Sequence, residues 1–168
     1  LSVLFNFGFL GIMVLALINM GGCSGGSSGT SGNGNNNVQS LDTWYGSDWQ
    51  FRQKITISPN VTTADLTHFP FLIRIVDPTN PLFSATQADG EDILFTDSDG
   101  VTKLNHEIEK YDGGSFMLYA WVRVPFLSST NSTEIYLYYG NHSVATQQNP
   151  TGVWDSHYKG VWHLKETP

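Results

Sequence analysis

The sequence has few residues that could cross-link the chain or bind polyanions. It contains one cysteine in 168 residues, so no disulfide can form within the chain and the fold must be held by packing. Lys and Arg number 8 against 15 Asp and Glu, which gives a net charge of -7 and a pI near 4.9. Because nucleic-acid phosphates require basic patches, this balance argues against nucleic acid as a partner.

The single cysteine, Cys23, separates two unlike segments. Residues 1–22 are almost all apolar, whereas Ser24 to Asn37 is a tract of Ser, Gly and Asn. The apolar stretch from Phe9 to Ile18 is shorter than the roughly 20 residues that a spanning helix needs, and small residues precede Cys23. The segment resembles a bacterial lipoprotein signal. This resemblance implies that Cys23 is acylated and that the protein is held at the bacterial cell envelope, on the outer membrane or the cell surface.

Other interpretations of residues 1–22 are an uncleaved transmembrane anchor helix, an ordinary signal peptide or a buried helix. A basic stretch and an initiator methionine are both missing, so we expect the true start of the protein to lie upstream of Leu1. Residues 23–43 are too polar and too rich in Gly to form a core. They are expected to be a disordered tether between the membrane and a folded domain.

Beyond the tether, hydrophobic residues recur with a period of two, which is typical of strands with one buried face. Turn signals such as Asp97-Ser98-Asp99-Gly100 and Asp112-Gly113-Gly114 separate the runs, and no helical stripe is convincing. Residues 44–145 are therefore predicted to form an all-β domain, an antiparallel β-sandwich with jelly-roll or Greek-key connections. The six runs are Trp49–Ile57, Phe71–Ile75, Ile93–Phe95, Leu104–Ile108, Phe116–Val124 and Ile135–Tyr139.

Several residue blocks in this region carry a resemblance. They include Trp49-Gln50-Phe51-Arg52, Phe69-Pro70-Phe71-Leu72-Ile73-Arg74, the stretch from Asp89 to Gly100, His106-Glu107-Ile108-Glu109, Trp121-Val122-Arg123-Val124-Pro125 and the stretch from Ile135 to Asn141. These blocks resemble the bacterial family DUF2341, a domain of unknown function. The resemblance implies an exported protein. It also implies a neighbouring domain, because members often lie just before a concanavalin-A-like (laminin-G-like) lectin domain. Some members are associated with MotA/TolQ/ExbB-type proton channels. The family has no assigned catalytic residues.

The tail also carries a resemblance. Residues 153–166, which include Val153-Trp154-Asp155 and Gly160-Val161-Trp162-His163, resemble the opening strand of that lectin partner. We therefore expect residues 146–168 to be the start of a truncated second, lectin-like β domain.

Aromatic side chains on the last two predicted strands suggest a binding surface. By parity, Tyr119, Trp121 and Arg123 point away from the core of one strand, and Tyr136 and Tyr138 point away from the core of the next. If these two strands pair, four aromatic rings share one face and could stack on the apolar faces of sugars. The alternative is that this face is a second buried face, or is covered by a neighbouring domain.

Glu107 and Glu109 are the weak catalytic candidates. Two residues apart on a strand, they are expected to project from the same face, about 6.6 to 6.8 Å apart along the chain. Paired carboxylates at this separation can hydrolyse glycosidic bonds, one as the acid and the other as the base or nucleophile. Alternation of Glu with Ile is also typical of any solvent-facing strand, so the pair alone does not decide between these readings.

The acidic turns offer a weak calcium site, and no other cofactor is expected. Asp89, Asp92, Asp97 and Asp99 could supply oxygen ligands to a structural calcium ion, but the ligand spacing of the helical calcium motif is absent. Ordinary turn chemistry is the alternative. Asp155, His157 and His163 show no spacing typical of a transition-metal site.

Together these features predict an envelope-anchored, non-catalytic β-sandwich module. It would bind glycans or surface polymers, or present the adjacent lectin-like domain to them, while a lipid anchor holds it to the membrane. One alternative is a carbohydrate-active enzyme, similar to glycoside hydrolases, that uses Glu107 and Glu109. Another is a structural component of a MotA/TolQ/ExbB-type envelope complex.

Overall fold

The computed structural model of the chain describes residues 2–4, 43–156 and 158–163. Cys23, the polar tract and the apolar stretch from Phe9 to Ile18 lie outside these residues, so the predicted leader and its acylation stay predictions. In the part of the chain that the structure describes, no helix is long and apolar enough to cross a membrane.

Strands account for most of the regular structure. The helical elements are a 3-10 turn at Pro59–Val61 and two single-turn helices, α1 (Leu82–Ala85) and α2 (Pro150–Val153). The strands are β1 (Ser2–Leu4), β2 (Phe51–Ile57), β3 (Leu66–Val76), β4 (Leu94–Asp97), β5 (Lys103–Leu104), β6 (His106–Asp112), β7 (Met117–Leu127), β8 (Thr133–Tyr139) and β9 (Val161–His163). Each of the six predicted runs therefore overlaps a strand, although β3 starts earlier than its pattern indicated.

The strands form two main antiparallel sheets. One has four strands in the order β2-β8-β4-β5, and the other has three strands in the order β3-β7-β6. β1 and β9 form a separate two-stranded antiparallel ribbon. The chain changes sheet between β2 and β3, between β3 and β4, between β5 and β6, and between β7 and β8. Only the hairpins β4-β5 and β6-β7 stay within one sheet.

The two main sheets face each other across one hydrophobic core, which makes the domain a β-sandwich. Ile55 and Ile135 from the four-stranded sheet and Ile73, Leu118 and Val122 from the three-stranded sheet are members of this core, and none is exposed to solvent. Alternation along each strand places these side chains on the inner faces. The predicted mainly antiparallel β architecture is confirmed.

The last two long strands, β7 and β8, do not pair with each other. β7 lies between β3 and β6, whereas β8 lies between β2 and β4, so the two strands belong to different sheets. The aromatic residues of β7 and those of β8 therefore point outward from opposite sides of the sandwich. The single four-aromatic face that pairing of these strands would have created does not form.

A short segment covers the outer face of the four-stranded sheet. In this N-terminal strap (residues 43–49), Trp44, Tyr45 and Trp49 form a second apolar cluster with Leu94 and Tyr138. The sequence pattern assigned Trp49 to the inner face of β2, but it precedes that strand and packs on the outside instead.

Arg52 fastens the N-terminal strap to the sheet. Its guanidinium group lies 4.7 Å from the ring centre of Trp44 and 4.5 Å from that of Tyr136, and it donates hydrogen bonds to the Thr43 carbonyl (2.8 Å) and the Tyr138 hydroxyl (3.2 Å). Arg52 is consequently only 7% exposed, although it lies on the outer face of the sheet.

Candidate functional site

The outer face of the three-stranded sheet brings together five residues that the sequence singled out. Cross-strand pairing places Trp121 opposite Glu107 and opposite Leu72, and it places Tyr119 opposite Lys110 and Arg74. Residues directly opposite each other on neighbouring strands project from the same face. Arg123 and Glu109 share this face, because Arg123 follows Trp121 by two positions and Glu109 contacts the Trp121 ring.

A β-bulge in β6 adjusts the positions of the two glutamates. The register shifts between Ile108 and Lys110, so two residues of β6 oppose one residue of β7 at this point. Glu109 is the extra residue, and its Oε2 accepts a hydrogen bond from the Trp121 indole Nε1 at 2.7 Å. The bulge thus turns Glu109 towards the tryptophan at the centre of the sheet.

A second segment crosses this outer face. In this C-terminal strap (residues 149–156), α2 contacts β6 and β7, and Val153 is fully buried. The strap is fixed at its start, where the Asn149 amide donates to the His106 carbonyl (2.9 Å) and its side chain donates to Asn105 Oδ1 (3.0 Å). Gly152 makes the approach possible, because a Cβ there would lie 2.6 Å from the side chain of Asn105.

Arg123 holds the middle of the C-terminal strap. Its guanidinium donates to the carbonyl of Gly152 (3.3 Å) and to Asp155 Oδ2 (3.0 Å). Both members of the Arg123–Asp155 ion pair are partly shielded, with side chains 20% and 31% exposed. Arg123 therefore serves the packing of the strap in this structure.

Trp154 completes an aromatic cluster with Trp121. The two indole rings meet edge to face with their centres 5.3 Å apart, and Tyr158 packs on the other side of Trp154 at 5.2 Å. The Trp154 indole donates to Glu107 Oε2 at 2.6 Å. Each predicted catalytic carboxylate thus accepts a hydrogen bond from a tryptophan, and the strap leaves Trp121 only 7% exposed.

An open groove of about 320 Å³ lies beside this cluster. The described residues that line it are Glu107, Pro150, Thr151, Trp154 and Val161. Its volume falls at the lower end of the range for small-molecule sites, about 300 to 1,000 Å³. The groove therefore offers an indole, a carboxylate and a hydroxyl group to one small ligand or to one residue of a polymer.

Tyr119 lies on the same face as Trp121, two residues before it on β7. Its ring is half-buried, and the Arg74 guanidinium lies 5.6 Å from the ring centre. Exposed Lys110 lies across from it on β6. Tyr119 therefore extends the aromatic surface of Trp121 and Trp154 along β7.

The two tyrosines of β8 lie on the opposite side of the sandwich. Tyr138 is fully buried under the N-terminal strap, where its hydroxyl donates to the Gly100 carbonyl at 2.9 Å. Tyr136 is half-buried beside Arg52. Both rings take part in holding the N-terminal strap, and neither adjoins the groove.

The four predicted calcium ligands do not come together. Asp89, Asp97 and Asp99 each accept hydrogen bonds from amides of their own turns, whereas Asp92 is fully buried and accepts from the amides of Gln87 (2.8 Å) and Gly140 (3.0 Å). Among the residues with described positions, no group of three or more His, Cys, Asp or Glu side chains could hold a metal ion. The geometry is that of ordinary turn chemistry, with Asp92 tying two loops together.

Sequence reasoning missed the role of the C-terminal strap. Trp154 and Asp155 were assigned to the lectin-like tail, yet they contact Trp121, Glu107 and Arg123 of the sandwich. The available signal was Asn149-Pro150, a typical helix start, with the apolar pair Val153-Trp154 beginning three residues after Pro150. The spacing between these residues and β7 gave no indication of the contact.

Residues 89–161 match the family model described as "Domain of unknown function (DUF2341)". The match runs from the turn before β4 into β9, so it includes the C-terminal strap as well as β4 to β8. This part of the chain is similar to that family, as its residue blocks predicted. Comparison with curated proteins and with solved structures finds no match. The lectin-like second domain and the lipoprotein signal stay predictions.

Proposed function

We propose that this protein is a non-catalytic glycan-binding module of the bacterial cell envelope, and that it binds through the outer face of its three-stranded sheet. One observation carries the proposal: the groove places the Trp154 indole beside Glu107 and Thr151, next to the ring of Trp121. Aromatic rings stack on the apolar faces of sugars, while carboxylates and hydroxyls bind sugar hydroxyl groups. Tyr119 would extend the contact along β7 for a longer glycan.

In this proposal the glutamates bind rather than catalyse. The indoles of Trp154 and Trp121 fix one oxygen each of Glu107 and Glu109, which orients both carboxylates as acceptors. Acylation of Cys23 and the polar tether would hold the domain away from the membrane. Several copies on one surface would then bind a polymer with an apparent affinity above that of a single site.

A glycan array probed with the complete chain tests the proposal. We expect selective binding to a subset of glycans, and we expect Trp154→Ala to weaken it by roughly 10- to 150-fold, because burial of the ring against a sugar contributes roughly 1.5 to 3 kcal/mol. Phe126→Ala is the matched control, since Phe126 is an exposed aromatic residue (49%) on β7 that does not line the groove. Circular dichroism would verify that each variant is folded.

A second variant distinguishes a direct loss of glycan binding from a displacement of the C-terminal strap. Thr151 is exposed and lines the groove, so Thr151→Arg should fill the groove without removing any packed side chain. Equal binding by the native protein and Thr151→Arg would overturn the assignment of the site. Release of reducing sugar by the native protein but not by Glu107→Gln would instead favour the glycosidase alternative.

A further inference from the structure

Three side chains form a row across the outer face of the three-stranded sheet. Arg74 on β3, Tyr119 on β7 and Lys110 on β6 occupy directly opposite positions on neighbouring strands. Direct opposition places their side chains on one face, with neighbouring strands about 4.8 Å apart. The aromatic ring is therefore flanked by a cation on each side, and we call these three residues the cationic row.

The two cations of the row face solvent. Arg74 and Lys110 are both exposed, and neither forms a salt bridge with a carboxylate in the described part of the chain. Asp112, two positions beyond Lys110 on β6, instead accepts a hydrogen bond from the Ser115 amide of the following turn at 2.9 Å. The row thus concentrates two positive charges on one face of a protein whose net charge is -7.

An aromatic ring between two cations fits a sugar that carries a carboxylate. The apolar face of a pyranose can stack on the Tyr119 ring, while its carboxylate accepts hydrogen bonds from Arg74 on one side and Lys110 on the other. The planar guanidinium group of arginine also matches the two oxygens of a carboxylate. Its position over the Tyr119 ring, 5.6 Å from the ring centre, holds it beside the stacking surface before a ligand arrives.

The cationic row continues the aromatic surface that begins at the groove. Tyr119 precedes Trp121 by two positions on β7, so their backbones are about 6.6 to 6.8 Å apart on the same face. Trp121 contacts Trp154, which lines the groove. Glu109 lies on the groove side of the row, because the bulge before Lys110 turns it towards the Trp121 indole. A glycan that starts in the groove can therefore extend along β7 over Tyr119.

We propose that the cationic row is a subsite for uronate residues, so that the glycans recognised by this face are acidic. The proposal rests on the glycan-binding function and adds the class of sugar. The net charge of -7 slows the approach of any polyanion. Selectivity for uronates therefore comes from short-range contacts with Arg74 and Lys110 and not from long-range attraction.

The test compares a galacturonate oligomer with its methyl ester of equal length, titrated against the complete chain by isothermal titration calorimetry. The ester keeps the sugar and its stacking faces but has no negative charge. We expect the acid to bind about five- to tenfold more tightly than the ester, because two exposed charged contacts each contribute a modest amount.

Substitution of the two cations isolates their charge. Both side chains are exposed, so the double variant Arg74→Gln/Lys110→Gln should remain folded, and we expect it to bind the acid no more tightly than the ester. Lys110→Gln alone leaves Arg74 over the Tyr119 ring and should lower the preference about two- to threefold. Lys54→Gln is the matched control, because it removes one positive charge from β2 in the other sheet and should leave the preference intact.

The outcomes separate this inference from the function on which it rests. Equal binding of the acid and the ester, or a preference that persists in the double variant, overturns the uronate subsite while glycan binding stands. Failure of both oligomers to bind also overturns it, and the glycan array then decides independently whether the module binds any sugar.

Discussion

His106 makes the stability of the sandwich depend on pH in a way that can be measured. The ring is fully buried at the start of β6, with its Nδ1 atom 3.5 Å from the Leu104 carbonyl and its edge against Phe95. Within the described part of the chain its Nε2 atom has no hydrogen-bond partner. A protonated imidazole would thus place a charge in the core with one donor unsatisfied.

The pKa of His106 is lowered from its usual 6.5 to about 4, chiefly by burial and also by the positive charge of Lys103, while the backbones of Leu104 and Ile93 oppose the shift. At 1.36 kcal/mol for each pH unit, this difference corresponds to about 3 kcal/mol. The unfolded chain binds a proton at this residue below pH 6.5, whereas the folded chain does so only near pH 4. The free energy of unfolding should therefore fall by about 3 kcal/mol between pH 6.5 and 4.

Urea denaturation of the native chain and of His106→Phe, at intervals from pH 7.5 to 4.5, measures how much His106 contributes to the pH dependence of the free energy of unfolding. Phenylalanine keeps an aromatic ring against Phe95 but does not titrate, so we expect most of the pH dependence to disappear in the variant. A constant offset between the two proteins does not affect the comparison, because only the slope with pH matters. His142→Phe removes an exposed histidine and is the matched control.

The chosen pH range excludes the main competing titrations. Hydrogen bonds from neighbouring Ser and Thr residues lower the pKa of Asp65, Asp77 and Asp112 below 3.8, so their contributions are lost only at more acidic pH. Parallel curves for the native protein and His106→Phe between pH 6.5 and 4.5 would show that His106 is not held neutral. That result would refute the reasoning.

Two further substitutions test how the loops and the N-terminal strap are held. Asp92→Ala leaves the amides of Gln87 and Gly140 without their acceptor. Since hydrogen bonds to a charged group contribute about 1.5 to 3 kcal/mol each, we expect the free energy of unfolding, measured with urea, to fall by about 3 kcal/mol or more. Asp92→Asn should cause a smaller fall. Gly100→Ala places a Cβ 2.3 Å from the Thr43 carbonyl at a φ of +75°. We therefore expect the free energy of unfolding to fall by about 1 to 3 kcal/mol. Tryptophan fluorescence should also change, because the strap that begins at Thr43 carries Trp44 and Trp49. Unchanged fluorescence in Gly100→Ala would contradict the close contact between this turn and the strap.

The strands could be predicted because their alternation is set by local chemistry. Ile135, Leu137 and Tyr139 face the core as their period indicates, and Leu118, Ala120 and Val122 do the same on β7. A period of two identifies which side chains share a face, but it carries no information about which strand lies beside which. The pattern therefore left open whether β7 and β8 pair, and the structure places them in different sheets.

The site itself depended on contacts between distant parts of the chain. Trp154 meets Glu107 across 47 positions, and Arg52 meets Tyr138 across 86. Parity placed Tyr138 on the face opposite to the core but left open whether that face is covered, because the pattern of one strand does not reveal which other segment packs on it. Parity nonetheless placed Trp121 and Glu107 on outward faces, and the structure brought those two residues together.

The way in which the N-terminal strap is attached also determines how the domain would respond to a pull. The contacts of Arg52 with Trp44, Tyr136 and Tyr138 are the first that tension applied at Thr43, the N-terminal end of the strap, would reach. These contacts can yield while β2 keeps its ladder with β8. The strap would therefore detach first under tension, before the core and the distant groove are disturbed.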